Sequence, residues 1–236
     1  MSENNKSFVS KMFGVITSPR RTFQDIEERD LRTGLLIVLL VAVLSAWAGM
    51  TYFSKMGPNP LATGQAGPLG HGGPMFFQPG AQDSQVDFEA IRSRLVPFIA
   101  IGGVVSTFIR WLVPSLLVLL TAKVLVGEGS SRRMLAMTGF AFIPMAAQQL
   151  LRVLDAMTIS SANLAALTAS QLTSTGLIGK IINQAISVFT VFGLLTVLLN
   201  THAVSANYEA DTRKSATVTV AAYLIYVLLR AFIPII

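Results

Sequence analysis

Residues 97–126 read PFIAIGGVVSTFIRWLVPSLLVLLTAKVLV, and the number of times this run crosses a membrane decides the fold. Its 30 residues would make a helix about 45 Å long. A hydrocarbon core about 30 Å thick takes roughly 20 residues of helix. The run is therefore too long for one upright crossing and too short for two. Arg110, Pro114 and Lys123 interrupt it, and Gly102-Gly103 is expected to loosen its start. One crossing over about 106–126 is the expectation, with the preceding residues overhanging at the interface.

Working outward, four more apolar runs reach the required length, at about 34–53, 134–154, 177–199 and 217–236. The first carries no charge, and Trp47 and Tyr52 lie near its far end, where amphipathic aromatics prefer the interface. The charges between the runs test the count. Five spans with an internal N-terminus put Lys6, Lys11, Arg20, Arg21, Arg29, Arg32, Arg132, Arg133, Arg213 and Lys214 on the cytoplasmic side. Lys55, Arg92 and Arg94 are left outside, ten against three, as the positive-inside bias requires. A sixth span within 97–126 would export Arg132, Arg133, Arg213 and Lys214 and leave six against seven. The expected class is all-α: a polytopic transmembrane helix bundle of about five spans, with the N-terminus cytoplasmic and the C-terminus outside.

The bulk composition agrees. Apolar residues make up 52% of the 236-residue chain and charged residues 13%, about half the charged share of a soluble domain. There is no cysteine, which excludes disulfides, thiolate metal sites and cysteine nucleophiles. The charged first 33 residues hold no apolar centre of the kind a secretory signal peptide needs, so none is expected.

Two parts are expected along the chain, a cytoplasmic amphipathic segment over 1–33 and a transmembrane domain over 34–236. In the first, Phe8, Val9, Met12, Phe13 and Ile16 recur at helical spacing beside Lys6 and Lys11. This pattern predicts a short interfacial helix on the inner membrane face. Ser18-Pro19 reads as the start of a second helix carrying Phe23 and Ile26. Residues 54–85 read as a flexible outer loop, because seven Gly and five Pro fall within 57–80. A capping box at 84–87 predicts a short outer helix bearing Phe88, Ile91 and Leu95, and 163–172 predicts another surface helix.

Several of these stretches together resemble the Yip family (Ypt-interacting protein domain) in its prokaryotic branch. They are Pro19, Phe23 and Ile26 before the first span; Gly129-Ser130-Ser131-Arg132-Arg133 leading into Met137-Thr138-Gly139-Phe140-Ala141-Phe142-Ile143-Pro144; and Arg213-Lys214-Ser215-Ala216 before the last span. The resemblance covers nearly the whole chain. It implies a five-span membrane protein with a cytoplasmic N-terminus, here in a prokaryotic cell membrane. Eukaryotic members are linked to vesicle trafficking and bind Rab-class small GTPases, and some prokaryotic members accompany export transporters. The segment before the first span is too short to offer a long docking surface, so GTPase binding is not expected of this chain.

The candidate functional residues lie within or at the edges of the spans. Arg110, Arg152, Lys180 and Arg230 all fall towards the outer leaflet in the five-span topology, with Asp155 the only acid at that depth. Two readings stand. The long cations snorkel to the headgroups, or some of them converge on an anionic headgroup, a solute or a partner residue. Arg152 and Asp155 are spaced to pair along one helix, and Pro144 is expected to kink the third span. Lys180, Asn183, Gln184, Ser187 and Thr190 form a polar face on the fourth span. That face either hydrogen-bonds to neighbouring helices or opens a polar cavity towards Gln148 and Gln149.

Enzyme signatures are missing: there is no H-E-x-x-H, P-loop or dinucleotide fingerprint, and no intramembrane carboxylate pair. His71 and His202 fall on opposite sides of the membrane in this topology. No catalytic residue, metal or cofactor is expected, and the basic loops need no nucleic acid to explain them. The expected function is that of a non-enzymatic adaptor or accessory subunit. It would sit in the lipid bilayer with another membrane protein, such as an export transporter or trafficking machinery, or with itself. The alternative is a small-solute channel or transporter using a polar cavity between spans three and four.

Overall fold

The computed structural model describes residues 8–55, 88–160 and 177–233. The Gly/Pro-rich run 57–80, the capping box at 84–87 and the surface helix expected at 163–172 lie outside the described residues. Everything regular within them is helical. Helices α1 (Phe8–Thr17) and α2 (Pro19–Gln24) lead through a 3-10 turn at Glu28–Asp30 into α3 (Leu31–Lys55). Then come α4 (Phe88–Leu125), α5 (Ser131–Ala141), α6 (Ile143–Thr158), α7 (Leu177–Val188), α8 (Val191–Tyr208) and α9 (Thr212–Phe232).

Four stretches are long and apolar enough to cross a bilayer: 28–55, 93–125, 131–158 and 212–232. The pair α7 and α8, bent by 69° at their junction, makes a fifth if it counts as one span. The spans close into a ring in the order α3, α4, α9, α8, α5–α6 and back to α3. The α5–α6 span is the most enclosed, with 61% of its apolar window buried inside the bundle, against 33–39% for α3, α4 and α9. The surfaces those three turn outward carry Leu36, Val43, Phe98, Ile101, Leu120 and Leu224, all exposed.

A single helix carries the decisive run, and it starts well before 106. Helix α4 continues unbroken for 38 residues from Phe88, so the short outer helix expected at Phe88, Ile91 and Leu95 is its first turns. Backbone polar groups in lipid have no partner other than the helix itself, which keeps such a segment helical across Pro97 and Pro114. The glycine pair does not loosen it either. Gly103 lets α4 approach α3, since a Cβ there would lie 3.0 Å from Ala46 Cα. The Ser106 and Thr107 hydroxyls both donate to the Gly103 carbonyl, at 3.2 and 2.8 Å.

The tightest crossing joins α3 to α5. A Cβ on Gly139 would stand 2.7 Å from the Gly34 backbone, and one on Gly34 would stand 2.8 Å from the Ala136 carbonyl. With no hydrophobic gain to be had between helices in lipid, close backbone approach of this kind supplies the packing energy. The third span then breaks at Phe142, where α5 ends and α6 begins with Pro144 in its first turn.

The fourth expected span, 177–199, differs more. The chain turns sharply at Phe189-Thr190. Thr190 caps α8 by accepting the Gly193 N–H at 3.1 Å, and a Cβ on Gly193 would collide with the Val188 carbonyl at 1.8 Å. A threonine cap three residues before a glycine with no room for a side chain starts a new helix instead of continuing the old one. Helix α8 runs on to Tyr208, and α7 packs on α9.

The N-terminal segment is continuous with the bundle. Val15, Phe23 and Ile26 are fully buried and share one core cluster with Met134, Phe140 and Val204. The opposite face of α1, with Phe8, Val9, Phe13 and Ile16, stays exposed.

Candidate functional site

The end of the bundle remote from α1 and α2 holds most of the candidate residues. Arg110 projects from α4 and is partly buried. It lies within electrostatic range of Arg152, Arg230 and Tyr226. Arg230, near the end of α9, donates from Nη1 to Ser187 Oγ on α7 at 3.2 Å. Its guanidinium carbon also sits 5.7 Å from the Tyr226 ring centre, in range for a cation–π contact. Lys180 stands exposed on α7 and is not among the main charges acting on Arg110.

Arg152 does not close on Asp155. Among the described residues the ion pairs within 4 Å are Lys11–Asp30 and Arg29–Glu27. Asp155 instead accepts the Tyr52 hydroxyl from the end of α3. One turn further, Lys55 Nζ donates to the Met157 and Ile159 carbonyls at 2.7 and 3.0 Å, which caps the end of α6. These bonds tie α3 to α6. The arginines are left in positive excess.

Arg152 and Asp155 line a wide-mouthed cavity of about 400 Å³ together with Gln148, Leu151, Thr190, Val191 and Phe192. The capped N-terminus of α8 thus forms one wall. Asn183 and Gln184 are not in that wall, because the 69° bend carries the polar face of α7 elsewhere. Ser187 donates within its own helix to the Gln184 carbonyl at 2.8 Å. Gln149 is buried, its Oε1 without a hydrogen-bond partner, and does not line the cavity. Pro144 is buried at the α5–α6 junction. Of the ten candidates, Gln148, Arg152 and Asp155 line one cavity; Arg110 lies within electrostatic range of Arg152 and Arg230, and Pro144, Gln149, Lys180, Asn183 and Gln184 lie apart.

The opposite, basic end holds polar groups that the sequence reading did not single out. Lys11 Nζ reaches both oxygens of Asp30, at 2.7 and 2.8 Å, and both side chains are nearly enclosed. Asp30 also accepts the Glu27 N–H at 3.0 Å. Arg133 donates from Nε to the Ile26 carbonyl at 2.8 Å and from Nη2 to the Gln24 carbonyl at 3.1 Å. Ser130 donates to Glu28, and Asn207 donates to the Ser130 carbonyl at 3.1 Å. Between the two ends, Asn200 donates to the buried Tyr223 hydroxyl at 3.0 Å. The i, i+4 spacing of Tyr226 and Arg230 was a readable signal. The separation of Lys11 from Asp30 by 19 residues, across a turn, was not.

Among the described residues no group of three or more His, Asp or Glu is placed to hold a metal ion. The far-end group offers hydrogen-bond donors and positive charge and lacks a nucleophile–base pair.

Compared with known proteins, the chain matches the family model described as the Yip1 domain over residues 13–233. No curated protein and no solved structure matches it.

Proposed function

This chain belongs to the Yip1 family, and from that premise we propose that it is a non-enzymatic adaptor or accessory subunit that associates with another membrane protein. The chain is an integral membrane protein, and the Yip1 domain is not an enzyme family. The observation that supports an adaptor is the outward face of α4. Gly102 lies there with nothing within 4 Å of the position of a Cβ, flanked by exposed Phe98, Ile101 and Val105. A glycine that packs against nothing inside its own bundle allows close approach of a further transmembrane helix. That helix belongs to another membrane protein or to a second copy. The basic end faces the cytoplasm in this reading, because ten of the thirteen loop and flanking cations counted above lie there.

A second reading, a small-solute channel or transporter, draws support from the far-end cavity, whose wall includes Gln148 but neither Asn183 nor Gln184. One experiment separates the two. Affinity purification in mild detergent of the native chain and of Gly102→Leu is expected to recover a stoichiometric membrane partner, or a homodimer, with the first and to lose it with the second. A monomer in both preparations that moves a solute across vesicle membranes sinks the adaptor. Orientation is read independently. The chain has no cysteine, so Glu128→Cys and Thr158→Cys report the two ends to an impermeant thiol reagent. Thr158→Cys is expected to react in intact cells and Glu128→Cys only after lysis.

A further inference from the structure

We propose that α1 is docked on the bilayer itself. Its face bearing Phe8, Val9, Phe13 and Ile16 is sunk among the lipids of the leaflet where α3 begins, and the arginines beside it hold anionic headgroups. A helix seated in this way suits an adaptor and a transporter alike, so the docking does not depend on the function proposed above.

The four side chains of that face are exposed by 44%, 55%, 65% and 60%. Contiguous apolar side chains left exposed mark a surface that something else covers. The face has no freedom to turn inward, because the other side of α1 is fixed at three points. Lys11 Nζ holds both oxygens of Asp30, at 2.7 and 2.8 Å. Val15 is fully buried in the main core cluster. Gly14 lies so close to α2 that a Cβ there would stand 2.6 Å from the Thr22 hydroxyl oxygen. By spacing alone Lys11 stands beside the apolar face as a cation for headgroups. In the folded chain it turns away from that face and is spent on Asp30.

Two features select lipid as the cover. One is depth. Asp30 immediately precedes Leu31, the first residue of α3, so Lys11 ties α1 to the point where that span begins. Leu35 and Leu36, about one turn further, are exposed on the outside of the bundle. Met12 and Leu31 pack on the same core cluster. Helix α1 is therefore level with the start of a lipid-facing surface, and an apolar helix face at that level sinks into the boundary between headgroups and acyl chains.

The other feature is charge. Glu27, Glu28 and Asp30 are already engaged by Arg29, Ser130 and Lys11. Arg20 and Arg21 on α2 and Arg32 in the first turn of α3 are exposed, and they form no ion pair within 4 Å among the described residues. Arginines next to a helix lying on a membrane attract anionic headgroups, and the guanidinium fork donates two parallel hydrogen bonds to a phosphate.

The chain has no cysteine, so single spin labels test the docking in the full chain. Phe13→Cys and, separately, Ile16→Cys report the face. Val43→Cys, exposed on α3, reports lipid, and Glu128→Cys, exposed between α4 and α5, reports water. Each is labelled and reconstituted into vesicles of phosphatidylethanolamine and phosphatidylglycerol, and its collisions with oxygen and with a water-soluble nickel chelate are measured. Labels at 13 and 16 are expected to meet oxygen as the label at 43 does, and to meet nickel at least fivefold less than the label at 128. A smaller nickel difference puts the face in water and overturns the docking. Exclusion of both reagents means that protein covers the face, a second copy or another chain, and overturns the lipid assignment. Phosphatidylcholine vesicles, or Arg20→Gln/Arg21→Gln in the original ones, are expected to raise nickel access at 13 at least threefold. No rise overturns the headgroup contacts.

Discussion

The two ends of this bundle carry the same kinds of side chain and partner their arginines unequally. At the basic end each interior cation meets acceptors from the chain itself: Lys11 grips Asp30, and Arg133 holds the carbonyls of Gln24 and Ile26. At the far end none of Arg110, Arg152 and Arg230 forms an ion pair among the described residues, and the acid there, Asp155, accepts the Tyr52 hydroxyl. The basic end is closed by α1, α2 and the 3-10 turn folding back over the spans. The far end opens into a cavity. Cations with internal partners hold a fold together.

Stability measurements test that difference, read as thermal unfolding in detergent through Trp47 and Trp111. The largest loss is expected from Gly139→Val, which would drive a side chain into the Gly34 backbone at the crossing beneath the closed end. Overpacking typically costs about 1 to 3 kcal/mol, and occasionally more, and here rigid backbone is what must give way. If Gly139→Val unfolds at the native temperature, the crossing is not as tight as it is drawn here.

Lys11→Ala comes next. It leaves Asp30 enclosed without its counter-charge, at a cost of about 2 to 3 kcal/mol. That is below the range for a fully buried pair, since the two side chains keep 7% and 12% of their exposure. Combining Lys11→Met with Asp30→Leu is expected to restore most of the loss, because two apolar groups need no partner. Arg133→Met removes two charge-assisted hydrogen bonds and is expected to cost about 2 kcal/mol. The smallest effect falls at the far end. Arg152→Gln is expected to change stability by no more than about 0.5 kcal/mol, and Arg110→Met to leave it unchanged or raise it in lipid-free detergent. The comparison breaks if Arg110→Met destabilises the protein more than Arg133→Met does.

Much of the architecture was legible because membranes impose few solutions. Run length and the charge bias pointed to a single crossing in 97–126, and one helix, α4, spans that run. The bend at Thr190 was harder to read. Residues 177–199 are apolar enough for one straight span, and the break depends on how Gly193 passes the Val188 carbonyl. That misreading carried a second one with it, because a cavity facing Asn183 and Gln184 requires α7 to stand upright beside α6. The nearness of Arg110 to Arg152 and Arg230 was foreseeable in depth but not in direction. Depth follows from counting residues along a helix. Direction depends on which faces the ring of spans turns towards one another.

By itself the sequence determined that the chain lives in a membrane, that it is all helix, and that it crosses about five times. Each of these follows from local quantities: twenty apolar residues match a bilayer, and lipid leaves the backbone no alternative to helix. Only the tertiary structure decided that residues 8–30 close one end of the bundle, that Lys11 finds Asp30, and that Asp155 is taken by Tyr52 and not by Arg152. Those outcomes depend on contacts between helices far apart in the chain, where a single glycine such as Gly34 or Gly139 sets how near two backbones come. No periodicity along the sequence carries that information.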